Sequence, residues 1–103
     1  MELTNDFRVG VSVSNTHPRR GSAIGFHGRV DPEGPGVRVL IQWLGPDGRW
    51  RVIRRSRLRG GSLGFSYYAV RVRIKHGGRY RVVVRPDAEN ARGLSRTVRI
   101  RPR

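Results

Sequence analysis

No stretch of 11 or more residues in this chain sets apolar side chains at helical spacing, whereas alternation with a period of two recurs from end to end. A chain built this way has no helical stripe to bury. It must instead form short strands with one face in a core and the other in water. Phe7, Val9, Val11 and Val13 alternate first, and "NTHPRRG" turns the chain. Ile24, Phe26 and Val30 follow, with Gly28 at a place where a side chain would not fit, and then comes "DPEGPG". Val37, Val39, Ile41 and Trp43 form a third run, ended by the turn "GPDG". Trp50 and Val52 begin a fourth, which fades into "RRSRLRGGS". Leu63, Phe65 and Tyr67 are out of phase with Val70, Val72 and Ile74, which predicts a bulge or break near Tyr68–Ala69. Tyr80, Val82 and Val84 make a sixth run, and Leu94, Val98 and Ile100 lie along a seventh.

About seven short strands punctuated by turns in 103 residues predict an all-β, antiparallel two-sheet Greek-key sandwich. The length suits one domain with one core, spanning 1–103. Residues 1–6 and 102–103 read as ragged ends, and the Arg/Gly-rich stretch 54–62 as a mobile loop. The predicted inward set is Val9, Val11, Ile24, Phe26, Val39, Ile41, Trp43, Tyr80, Val82, Val84 and Val98.

Charge is the second strong signal. The 22 basic residues include one lysine, Lys75, which leaves 21 arginines against seven acids and a net charge of +15. Arginine binds phosphate and carboxylate bidentately, although a GC-rich genome produces the same bias. Charge dispersed in this way predicts solubility and general attraction to polyanions. The absence of cysteine removes disulfides, thiolate zinc sites and cysteine nucleophiles. No apolar run approaches the roughly 20 residues of a membrane-spanning helix, so no membrane insertion is expected. "ELTNDFRVG" after Met1 lacks the basic and apolar regions of a secretory leader, so a secreted protein would carry its leader outside this chain.

"HPRRGSAIGFHGRVDPEGPGVRVLIQ", "GRWRVI" and "GGRYRVVVRPDAENARGLSRTVRI" resemble the bacterial immunoglobulin-like (fibronectin III-like) modules of secreted and cell-surface proteins. The resemblance covers about 9–44 and 77–100, and it rests on turn and core positions. It implies a spacer, stalk segment or enzyme appendage whose partners are neighbouring domains of the same chain, located outside the cell. It brings no catalytic residue and no cofactor. Tyr80, directly after "HGG", stands where such sandwiches place a tyrosine that bonds back to the backbone. Trp43 reads as an ordinary core aromatic or as the one that packs between the sheets.

Catalytic signals are poor. His17, His27 and His76 have no second histidine or carboxylate at metal-ligand spacing, and no nucleophile elbow is present. "RRGSAIG" and "RGGSLG" precede no helix that would hold a phosphate, and so read as turns. Threading the strands through an immunoglobulin-like order gathers Glu2, Asp6, Asp31, Glu33, Asp87 and Glu89 at one pole. Asp31, Glu33, Asp87 and Glu89 are the calcium candidates, set below plain turn carboxylates for want of any Asp-x-Asp spacing. The same threading puts Arg38, Arg79, Arg81, Arg85, Arg99 and Arg101 on one sheet face, among exposed Leu40, Gln42, Leu44 and Val83. That face would meet a partner domain or an acidic polymer of the cell surface. The expected function is thus a non-enzymatic interaction or spacer module. The alternative is a stand-alone nucleic-acid-binding β-domain in the cytoplasm, favoured by an isoelectric point near 12.0.

Overall fold

The computed structural model describes residues 5–61, 63–88 and 90–103. The chain is an all-β sandwich of two packed antiparallel sheets that do not close into a barrel. Its Cα extents, 48 × 29 × 17 Å, fit two layers stacked about 10 Å apart. Sheet one has the order β11 (Gly93–Leu94), β9 (Gly78–Val84), β5 (Arg38–Leu44), β6 (Trp50–Arg57), with β12 (Val98–Ile100) also on β9. Sheet two has the order β2 (Arg8–Val9), β4 (Ala23–Asp31), β8 (Ser66–Arg73), β7 (Arg59–Gly60), with β3 (Ser12–Val13) also on β4. A short parallel pair, β1 (Asn5–Asp6) with β10 (Asn90–Ala91), ties the amino-terminal end to the loop after β9. The segments amount to seven passes of chain, because β2 and β3, β6 and β7, and β11 and β12 are interrupted pieces of single passes.

The core is Phe26, Val30, Val39, Ile41, Tyr68, Tyr80, Val82, Val84, Ile100 and their neighbours. Of the predicted inward set, Val9 and Trp43 are half-buried against it and the rest are buried. Val83 departs from expectation: it lies on the outer face of sheet one yet is buried.

The predicted bulge at Tyr68–Ala69 does not form. β8 pairs with β4 without a break from Val30↔Ser66 to Ala23↔Arg73, and its even-numbered residues face inward throughout. The phase mismatch is resolved by burying Ser66, whose hydroxyl accepts the Gly34 N–H at 2.9 Å. Leu63 and Tyr67 are left outside. Bulges occur elsewhere. Ile53 is the extra residue in β6 opposite Ile41–Gln42. The register on β9 also slips by one between Leu94↔Val83 and Val98↔Tyr80, which turns Leu94 outward. Ser95 fills that gap, its hydroxyl accepting the Val82 N–H at 2.8 Å.

The stretch 54–62 is not the expected loop. β6 runs to Arg57, buried Leu58 carries the chain from sheet one to sheet two, and β7 follows. An edge strand tolerates arginine on both sides, so charge density misread it. Ser62 lies outside the described residues. Nor is the carboxyl end ragged: the Arg101 and Arg103 N–H groups donate to the carbonyls of Thr16 and Pro18, each at 2.8 Å. At the other end, Asn5 and Asp6 of the expected ragged segment are paired in β1.

Gly28 is required where it stands. A Cβ there would lie 2.1 Å from the Gly10 carbonyl oxygen. Tyr68, opposite Gly28 on β8, reaches across it and donates its hydroxyl to that same oxygen at 2.7 Å. An aromatic thus covers a glycine and ties the first pass to the middle of sheet two. Burial holds the Tyr68 phenol well above its ordinary pKa, with Arg96 pulling weakly the other way.

Candidate functional site

The outer face of sheet one carries five of the six expected arginines. β9 supplies Arg79 and Arg81, Arg85 follows directly after its end, β12 sets Arg99 opposite Arg79, and β5 supplies Arg38 beside Arg85, whose N–H donates to the Arg38 carbonyl. Arg101 lies past the end of β12, where its N–H bonds to Thr16. The face is not one uniform patch. Arg81 at its middle is engaged within the fold: its Nε donates to Gln42 Oε1 at 2.7 Å and its guanidinium lies 4.2 Å over the Trp50 ring. Partial burial, then the Arg92 charge, hold the Arg81 pKa below its usual value.

At one end remain Arg79 and Arg99. At the other, Arg38, Arg55 and Arg85 surround a hollow of about 520 Å³ with Leu40 and Val52 in its lining. Arg55 pairs with Leu40 and Arg57 with Arg38 in the ladder, so β6 extends the basic face by a fourth strand. Sequence parity could not place Arg55 and Arg57 on that face, because the bulge at Ile53 shifts them into register. Ion pairs join Arg29 to Asp31 at 2.8 Å and Arg51 to Asp47 at 2.7 Å. Neither lies at this hollow.

A second basic site lies at the open edge of the sandwich, between β6 and β8. A cleft of about 620 Å³ is lined by Arg54, Arg71, Arg73 and Lys75, by Arg51 with its Asp47 partner, and by Trp43, His76 and Tyr80. The Trp43 indole stacks on His76 with ring centroids 4.6 Å apart and donates its N–H to the Gly77 carbonyl at 3.1 Å. Tyr80 donates its hydroxyl to the His76 carbonyl, the backward bond expected of its position. Burial pushes the Tyr80 phenol up to about 12, against smaller downward effects of Arg20 and of that bond. No sequence signal pointed to this cleft, since its walls come from strands far apart in the chain.

Among the described residues the acidic pole does not assemble a ligand set. Asp31 is held by Arg29, and Asp87 accepts from the Asn90 backbone N–H at 2.6 Å. Glu33 is exposed, while Glu2 and Glu89 lie outside the described residues. Among the described residues no three His, Asp or Glu side chains converge as metal ligands. His17, His27 and His76 are all exposed. Among the described residues no helix is long and apolar enough to cross a membrane. No family model matches the chain, and no curated protein matches it.

Proposed function

We propose that this sandwich is an immunoglobulin-like, non-catalytic interaction module of a larger extracellular bacterial protein, and that the outer face of sheet one binds acidic polymers. The strand order and the Tyr80 back-bond support the first part. One observation carries the second: Arg38, Arg55 and Arg85 converge on a hollow whose lining, among the described residues, has no carboxylate. A guanidinium suits such a place, because it can take an anion bidentately. Flat geometry with the one large aromatic, Trp50, already covered by Arg81 suits backbone-type contact and not base stacking.

The test uses polygalacturonate and a mixed-sequence DNA duplex as probes. Both should bind weakly, with affinity falling steeply as salt rises. Replacing Arg55 and Arg85 together with alanine should shallow the log–log salt slope on the duplex by about two units. Replacing Arg19 and Arg20 together on the turn before β4 should barely change it. Equal effects from the two pairs would mean that charge acts globally, and the hollow would lose its role. Strong sequence preference on the duplex would favour a nucleic-acid-binding domain over an extracellular module.

A further inference from the structure

β8 is paired along its whole length with β4 on one side, but on the other side only Ser66 and Tyr67 have a partner, in β7. Among the described residues no strand takes up the line of β7 from Tyr68 to Arg73. β6, across the cleft, is likewise free on the side away from β5. An edge of this kind presents alternate backbone N–H and C=O groups to any extended chain. Here the molecule uses the first two positions itself and leaves the rest open.

The side chains at the opening say what would fit. Arg71 and Arg73 belong to the outward row of β8, and with Lys75 and Arg54 they line the cleft. On the inward row Val70 is half-buried, and Ile53 across the cleft is 39% exposed. Among the described residues the lining of the cleft includes no carboxylate, and Arg51 in it is paired with Asp47. A second copy of this chain would bring arginines against arginines, because both open edges carry them. Like charges directly opposite oppose pairing, whereas opposite charges favour it.

We propose that the free edge of β8 is a docking site for an acidic extended peptide, which continues the line of β7 as an added strand of sheet two. Its carboxylates lie against Arg71 and Arg73 on the outer row, and its alternate apolar residues meet Val70 and Ile53 on the inner one. This site is separate from the outer-face hollow and does not depend on it.

The probe is a capped peptide of alternating Glu and Val, about ten residues long, enough to span the edge at roughly 3.3 Å per residue. It should bind the intact protein and slow amide exchange within 69–73. Two N-methylated forms, one blocked at the Glu nitrogens and one at the Val nitrogens, carry the same charge and present opposite edges. Strand addition requires that one of them lose binding and the other keep it. Arg71→Glu with Arg73→Glu should weaken the peptide by about tenfold, as two attractive pairs become repulsive. Arg55→Ala with Arg85→Ala should leave peptide binding unchanged, which separates this site from the polymer-binding face. Failure of the peptide to bind would overturn the proposal. So would equal binding of both methylated forms with the parent, or protection that falls outside β8.

Discussion

Gly28→Ala offers the sharpest test of how sheet two is held. In an open strand position with ordinary backbone angles, Gly→Ala stabilises by about 0.4–1 kcal/mol, because the unfolded chain loses freedom. Gly28 has no positive φ, so only its surroundings decide the sign. The new methyl would stand 2.1 Å from the Gly10 oxygen and 2.9 Å from the Tyr68 hydroxyl, where Cβ atoms do not come within 3.0 Å. The first pass must therefore retreat by about 0.9 Å from β4. Overpacking of that kind costs about 1–3 kcal/mol. The same movement breaks the 2.7 Å bond from Tyr68 and strands a buried hydroxyl, for about 1–3 kcal/mol more.

The expected loss is about 1–5 kcal/mol after the entropic gain, out of the roughly 5–15 kcal/mol that holds such a domain together. Urea denaturation measures it. Gly25→Ala on the same strand is the control, since its nearest neighbour would be Ser14 Oγ at 3.8 Å, and it should be neutral or slightly stabilising. Tyr68→Phe in the Gly28→Ala background should cost about 1 kcal/mol less than alone, the coupling expected of groups sharing one bond. A loss below about 1 kcal/mol for Gly28→Ala, or additive single changes, would refute the reading that Gly28 exists to admit the Gly10 carbonyl.

Tyr80→Phe should cost about 1–2 kcal/mol in the same assay through loss of its bond to His76, and stability equal to the parent would count against that corner. Both buried tyrosines have folded pKa values above the ordinary 10, so the folded state keeps protons that the unfolded chain releases. Their contribution is complete below pH 10 and is lost as pH rises toward about 12, the Tyr80 value; a urea midpoint that stays flat through that window would contradict it. Millimolar calcium should leave the melting curve unchanged, and a rise in melting temperature that Asp87→Asn abolished would restore the acidic pole as a ligand site.

The two-sheet class and most of the core were legible, because burial on one face writes a period of two into the chain. What escaped was set by polar groups that make inward positions habitable. Ser66 and Ser95 occupy places that alternation reserves for apolar side chains, each accepting a backbone N–H that would otherwise be stranded. Their presence moved the expected bulge from β8 to the β11–β12 gap. The stretch 54–62 reads as loop because charge density there has no alternation. An edge strand needs none, since neither of its rows must be fully covered. Val72 and Ile74 belong to one phase of a run that alternation shows, whereas Tyr68 stands at the expected break; the burial of all three follows only from the unbroken pairing of β4 with β8.

The site was legible only where strands adjacent in the sheet are also regular. Arg79, Arg85, Arg99 and Arg38 sit on one face because β12, β9 and β5 keep register across those rows. Arg55 entered through a bulge that no periodicity announces. The β6–β8 cleft depends on where the chain changes sheets at Leu58, which is a property of packing. The arginines of these two strands then have a double consequence. On an open sandwich they oppose edge-to-edge pairing between copies, a standing hazard for exposed strands. The same repulsion selects by sign: an edge closed to its own kind stays open to a chain carrying carboxylates. On the docking proposal, an arginine beside nearly every core residue would serve solubility and partner choice through one electrostatic term, with the location of unpaired backbone deciding where the second is exercised.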